Sequence, residues 1–263
     1  MSTQATPRSA PRKVALVTGG TRGIGRHVSL ELSSRGYFIA MNYLSNREKA
    51  EATLAEIQAA GGTGALYQAD VTMPDQVQAM VKSIASAHRR IDVLVNNAGV
   101  TRDNVFMMMT ADNWSKVMDT NLNSVFHCCK AVVRYMIAQK AGVIINIGSG
   151  SGLSPRVGQA NYSTTKSAII GFTRSLAREV ANNGVRVLTV APGFTRTEMA
   201  DSVSAATVAE SLRMIPMGRW GMPEEIAKVV GFAASEDASY LNAVTIVVDG
   251  GRAGAEQDFG IIT

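Results

Sequence analysis

Cysteine is nearly absent. The only two, Cys128 and Cys129, are adjacent. Neighbours on one helix do not bridge, and no metal-ligand spacing exists, so structural thiols in a reducing compartment and no metal site are expected. No run approaches the roughly 18 apolar residues of a membrane span. Net charge is +5, but Arg8, Arg12 and Lys13 supply three of those charges, and no basic stripe interleaves with aromatic residues. Neither nucleic acid nor membrane is therefore an expected partner. Residues 1–13 are polar, contain Pro7 and Pro11, and lack the apolar core of a secretion signal. They are expected to form a disordered tail on a cytoplasmic protein. Internal repeats and low-complexity segments are missing too.

What is present is alternation. With 46% hydrophobic residues, the chain can bury a sizeable core. Short apolar runs at Val14–Thr18, Tyr37–Tyr43, Ala65–Ala69, Ile91–Val95, Val143–Ile147, Val185–Val190 and Val244–Val248 read as strands. Helix-period stretches begin between them near Gly23, Asn46, Pro74, Asp112, Val157 and Pro223. In the first, Ile24, Val28 and Leu32 share one face beside Arg26, Glu31 and Arg35. Strands without polar alternation are covered on both faces. The expected fold is therefore α/β, a single-domain doubly wound (Rossmann) parallel sheet of about seven strands over residues 14–251. The one long irregular stretch, Pro192–Gly221, is a candidate substrate lid, and residues 252–263 form a C-terminal tail.

Ligands of such sheets bind beyond the carboxyl ends of the strands. The first strand runs into Thr18-Gly19-Gly20-Thr21-Arg22-Gly23-Ile24-Gly25, where a helix starts. Glycines permit a sharp turn and close approach to a pyrophosphate, and a helix N-terminus favours negative charge. Gly19, Thr21, Arg22 and Ile24 are the expected contacts. No acid lies between Glu31 and Glu48, where an NAD site would place one on the ribose 2′-hydroxyl. Asn42, with Arg22, is instead expected to accept a 2′-phosphate, which favours NADP(H); Arg47 either helps or is a solvated charge. Asp70, followed by Val71, is placed to meet an adenine amino group or to cap the next helix. Of Asn96 and Asn97, one structural role and one cofactor contact are expected.

On a helix over Val157–Phe172, Tyr162 and Lys166 lie four apart on one face. A nearby cation lowers the phenol pKa from about 10, making it a usable proton donor and acceptor near neutral pH. An ordinary amphipathic pair looks the same, so the pattern alone is weak. Ser149, at a strand end in the segment Ile147–Gly152, is placed to face the same pocket. Asn121 is a poor helix former inside a long helix, and it either bends that helix or bonds a neighbouring backbone, or else a kinked helix aims a carbonyl or amide towards Lys166.

These residues together resemble the short-chain dehydrogenase/reductase family in its single-domain form, over residues 13 to about 251. The glycine loop, Asn96–Gly99, Asn121, Ser149, Tyr162, Lys166 and Pro192-Gly193 carry the resemblance. Within the family the chain is most similar to 3-oxoacyl-[acyl-carrier-protein] reductases, on Asn96–Asn104, Thr120–Phe126, Gly158–Lys166, Ser175–Val180, Ala191–Met199 and Val248–Gly251. Acetoacetyl-CoA reductases share much of this.

The resemblance implies NADPH-dependent reduction of a 3-oxoacyl thioester in fatty-acid or polyketide-type synthesis. Tyr162 would act as acid, Lys166 would tune it and hold the nicotinamide ribose, Ser149 would bond the carbonyl oxygen, and Asn121 would position a relay water. Pro192, Gly193 and Thr195 would border the nicotinamide, and Asn97 and Gly99 the ribose side. A homotetramer built on the two long helices is also implied, for which the apolar run Ser124–Cys129 is suited. The turn Ala181-Asn182-Asn183-Gly184 lacks the charge that docks an acidic carrier, although Lys140 remains, so acyl-carrier protein and CoA both stay open as the thioester's carrier. Another NAD(P)-dependent short-chain alcohol dehydrogenase is the alternative enzyme, and a non-catalytic dinucleotide-binding regulator the alternative class. Leu241-Asn242-Ala243 replaces the common Ile-Thr-Gly and predicts a local turn change. Met107–Met109, Met199, Met214 and Met217 suit either a flexible acyl pocket or core filling. Phe259–Ile262 suits packing on a neighbouring subunit.

Overall fold

A computed structural model describes residues 12–198 and 205–255. Most of the N-terminal tail, Met199 and Phe259–Ile262 lie outside the described residues. Seven parallel strands form one sheet, β1 (Val14–Val17), β2 (Phe38–Tyr43), β3 (Thr63–Gln68), β4 (Val93–Asn96), β5 (Gly142–Ile147), β6 (Val185–Pro192) and β7 (Thr245–Val248), in the order β3-β2-β1-β4-β5-β6-β7. Between them run α1 (Gly23–Ser34), α2 (Arg47–Ala59), α3 (Pro74–His88), α4 (Ala111–Met118), α5 (Ser124–Gln139), α6 (Ala160–Val180), α7 (Ala205–Arg213) and α8 (Pro223–Ala234). The doubly wound reading holds. Strand order reverses between β1 and β4, and that switch point is where a crevice opens.

Alternation along each strand divides the core in two. Val14, Leu16, Leu94 and Ile144 pack with α3, α5 and α6 through Val81, Val132 and Ile169. Ala15, Val17, Ile39 and Ile145 face α1, α2 and α8 through Leu32, Ile57 and Val230. Both faces of each inner strand are dry, which explains why these runs carry no polar alternation. One buried polar ladder crosses the first layer. The Asn96 amide donates to Asn146 Oδ1 (2.8 Å), the Asn146 amide to Thr173 Oγ1 (2.9 Å), and the Thr173 and Thr189 hydroxyls share a hydrogen bond of 2.9 Å. It locks α6 to β4, β5 and β6 just below the strand ends.

Two segments differ from expectation. The stretch read as irregular contains α7, whose Ala-Ala-Thr-Val-Ala-Glu-Ser-Leu-Arg sequence is rich in helix formers. The long helix after Asp112 is broken by a π turn over Asp119–Asn123, which separates α4 from α5. Before β7, Ala243 adopts φ 59 and Asn242 Oδ1 accepts from Val187 N at 2.8 Å.

Candidate active site

The switch point is stitched by short polar side chains. Thr18 Oγ1 accepts from Asn97 N (3.0 Å) and Ala98 N (3.1 Å), while the Asn97 amide donates to the carbonyls of Thr18 and Gly19, both at 3.0 Å. Asn97 thus spends its donor on the glycine loop and shapes the crevice. A Cβ on Gly25 would lie 2.2 Å from Gly19 O and 2.4 Å from the Asn97 amide, so only glycine lets α1 close on that loop. The head of α1 has no acid in its first turn, and the Arg22 side chain neither caps it nor pairs with another described residue. Its amide groups and an exposed guanidinium are therefore free for a diphosphate and a further phosphate. The residues present fit a dinucleotide.

Asn42 corrects the expected phosphate contact. It is 2% exposed. Its amide donates to Ala69 O (3.0 Å) and Tyr67 O (3.3 Å), and its Oδ1 faces Gly19 N at 3.4 Å. The side chain clamps β3 and the glycine loop to β2 and is turned away from solvent. Asn42→Asp is therefore expected to destabilise the fold by about 2–4 kcal/mol, because a buried carboxylate would face two carbonyl oxygens it cannot satisfy. Chemical denaturation checks this, and an unchanged midpoint would refute the clamp.

The Asp70 carboxylate accepts from Thr72 N (2.9 Å) and Thr72 Oγ1 (2.7 Å), a turn that leads into α3. Val71 is buried and its carbonyl faces His127 Nδ1 at 3.3 Å. The carbonyl of buried Thr21 accepts from Thr53 Oγ1 at 3.2 Å, and Ile24 is partly buried on α1.

Across the strand ends lie Ser149, Tyr162 and Lys166. Burial pushes the Tyr162 phenol pKa up and Asp103 adds to the rise, outweighing the neighbouring Ser149 hydroxyl, which draws it down. The net direction is upward. This corrects the expected lowering by Lys166, whose ammonium lies 5.6 Å from the centre of the Tyr162 ring and donates to Ile147 O at 2.7 Å. Among the described residues the ammonium makes no hydrogen bond to the phenol oxygen. Burial in turn brings the Lys166 pKa down to about 8.

Asn121 is fully buried in the π turn. Its Oδ1 accepts from Val100 N (2.8 Å) and its amide donates to Val100 O (2.9 Å). The side chain pins the loop after β4, and a Cβ on Gly99 would stand 3.3 Å from Asn121 Oδ1. Of the alternatives for Asn121, its side chain takes the neighbouring backbone, in a helix that is bent, and among the described residues it makes no direct hydrogen bond to Lys166.

Residues not anticipated complete the site. Gln159 donates to Asp103 Oδ2 (2.7 Å), Ser151 Oγ to Gln159 Oε1 (3.0 Å), and Ser151 N to Ser149 Oγ (3.1 Å). A relay of polar groups therefore runs from Asp103 to the Ser149 hydroxyl. Gln159 stands three residues before Tyr162, on the preceding turn of chain, and that spacing was the available signal. Pro192 ends β6 and Thr195 Oγ1 donates to Gly193 O at 3.2 Å. Next to them the Phe194 ring stacks on Trp220 (5.6 Å between centres) and lies under the Arg156 guanidinium at 4.8 Å. Met107 and Met217 are exposed and belong to no core cluster, which leaves core filling without support for these two.

Among the described residues no group of side chains could hold a metal ion, and no helix is long and apolar enough to cross a membrane. The family model described as short chain dehydrogenase matches residues 13–207. A protein named 3-oxoacyl-[acyl-carrier-protein] reductase FabG from Staphylococcus aureus is 46% identical over 239 residues, covering 91% of this chain and 97% of that one. A 3-oxoacyl-[acyl-carrier-protein] reductase of Synechocystis sp. is 45% identical over 240 residues, 91% and 96% of the two chains. A FabG of Vibrio cholerae is 43% identical over 239 residues, again 91% and 96%.

Proposed function

The chain belongs to the short-chain dehydrogenase family, and from that premise we propose that it reduces a 3-oxoacyl thioester to the 3-hydroxyacyl thioester with NADPH, in fatty-acid or polyketide-type synthesis. The observation that carries the reading is the Ser149 hydroxyl beside the Tyr162 phenol, with Lys166 one helical turn on, next to a glycine loop that fits a dinucleotide. The names of the similar chains from Staphylococcus, Synechocystis and Vibrio support the substrate class.

When bound, the reduced nicotinamide supplies a hydride to the C3 carbonyl. The protein's part is at the oxygen. Ser149 donates a hydrogen bond to it, and Tyr162 gives up its proton as negative charge develops there. The raised pKa of Tyr162 suits this direction, because the phenol is held protonated in the resting enzyme. The Asp103–Gln159–Ser151 relay fixes Ser149. Lys166 brings the nearest cation, and the π turn at Asn121 holds the loop that forms the opposite wall.

NADP(H) is preferred over NAD(H) in this reading because the end of β2 offers no acid to repel a 2′-phosphate. Pro192, Gly193 and Thr195 border the nicotinamide, and the thioester is carried by acyl-carrier protein or CoA. The protein is a cytoplasmic homotetramer built on α5 and α6, to which exposed Phe126 and Ile137 on α5 lend support. The test is NADPH or NADH absorbance loss with acetoacetyl-CoA and with an acyl-carrier-protein thioester. Turnover with NADPH is expected, and slower turnover with NADH. Failure of both thioesters would overturn the reading.

A further inference from the structure

Asn42, the expected reader of the 2′-phosphate, is turned inward, so other side chains must meet that group. Arg22 precedes α1, Arg26 lies on it, and Arg47 and Lys49 stand in the first turn of α2. Arg26 is taken by Glu56 of α2, and Arg47 by Glu51 on its own helix at 2.7 Å. Arg22 is unpaired among the described residues. Lys49 is different: its ammonium bonds Glu198 at 2.5 Å, a residue 149 positions away in the chain. Lys49 stands in the first turn of α2, its amide held by the Asn46 side chain at 2.9 Å. That turn directly follows β2, the strand whose end reads the adenosine ribose in this fold.

Glu198 belongs to the segment after β6. Its neighbour Thr197 lies against the head of α1, 3.6 Å from where a Cβ on Gly23 would stand. The Lys49–Glu198 pair therefore spans from α2 to the segment that roofs the glycine loop, across the mouth of the crevice. Glu198 also feels Arg22 and Arg26, and with Lys49 they hold its carboxyl below the usual range. A single carboxylate occupies the cationic ground that a phosphate would need.

We propose that Lys49 is a second reader of the cofactor's 2′-phosphate, beside Arg22, and that Glu198 holds the ammonium across the cleft until the phosphate displaces its carboxylate. This rests on the NADP(H) reading above. A phosphate brings more charge and more acceptor oxygens than one carboxylate. The exchange costs little, because the existing pair is half exposed, with side chains 48% and 59% accessible, and such pairs are weak. Glu198 is thus a competitor of the 2′-phosphate and indifferent to a cofactor without one.

Calorimetric titration of the full chain with adenosine 2′,5′-bisphosphate and with AMP isolates the 2′-phosphate, without any turnover. Lys49→Met is expected to weaken the bisphosphate about tenfold and AMP less than about twofold. Glu198→Gln should tighten the bisphosphate about two- to fivefold and leave AMP unchanged. In the double variant, the Glu198 change should have no further effect, since the ammonium it guards is gone. A Lys49→Met protein that keeps the wild-type preference for the bisphosphate overturns Lys49 as a reader while the cofactor reading stands. Glu198→Gln that weakens the bisphosphate overturns the competition. Wild type that binds both ligands equally removes the NADP(H) reading itself, and this inference with it. Thermal melts of each variant confirm the fold.

Discussion

Tyr162→Phe is expected to lower kcat for thioester reduction by about 10³-fold or more, while the dissociation constant for NADPH stays within about twofold of wild type. The change deletes one oxygen. That oxygen carries the proton for the developing alkoxide and lies beside the Ser149 hydroxyl. The aromatic ring, which faces the Lys166 ammonium at 5.6 Å, is retained, so packing around α6 is preserved. The glycine loop, stitched to β4 by Thr18 and Asn97, makes no hydrogen bond with the phenol among the described residues. Rapid mixing of enzyme, NADPH and acetoacetyl-CoA measures the chemical step, and fluorescence titration measures binding. Retained turnover would remove Tyr162 as the acid. Lost turnover with equally lost NADPH binding would mean the phenol supports the crevice and not the reaction.

What could be read from sequence was whatever depends on neighbours along the chain. Strands such as Val143–Ile147 carry no polar alternation because both faces are covered, and that alone implied the parallel sheet. Asn121 stood out as a poor helix former, and a π turn over Asp119–Asn123 is there. Long-range partners stayed hidden. The inward turn of Asn42 is set by the carbonyls of Tyr67 and Ala69, 25 and 27 residues away. Asp103 and Gln159 meet across 56 residues, and each alone is an ordinary polar side chain. The spacing of Tyr162 and Lys166 put the two on one face but said nothing of where the ammonium is held. That is decided by Ile147 O, at the end of β5, which draws the ammonium to 2.7 Å. The helix α7 was missed because Pro192, Gly193, Gly218 and Gly221 frame its stretch like a loop.

Lys166→Met is expected to cut kcat by about 10²–10³-fold, by removing the cation nearest the developing alkoxide, and to change two pH profiles in opposite senses. Burial brings the Lys166 pKa from 10.5 to about 8. Below about 8 the ammonium is charged and assists reduction; above it the amine is neutral. Wild-type reduction should therefore be level on the acid side and fall as pH rises through about 8. Tyr162 does not produce this limb, because its pKa lies above the ordinary phenol value. Stability runs the other way. Between about 8 and 10.5 the unfolded chain binds a proton at this lysine that the folded chain does not, so this residue's contribution to folding free energy rises with pH. Comparing wild type with Lys166→Met isolates that contribution from the other groups that titrate there. Activity that declines while the lysine's share of stability grows is a loss of charge at the site, not unfolding. A descending limb near 8 that survives in Lys166→Met would assign it to another group and leave the ammonium a purely structural role on Ile147.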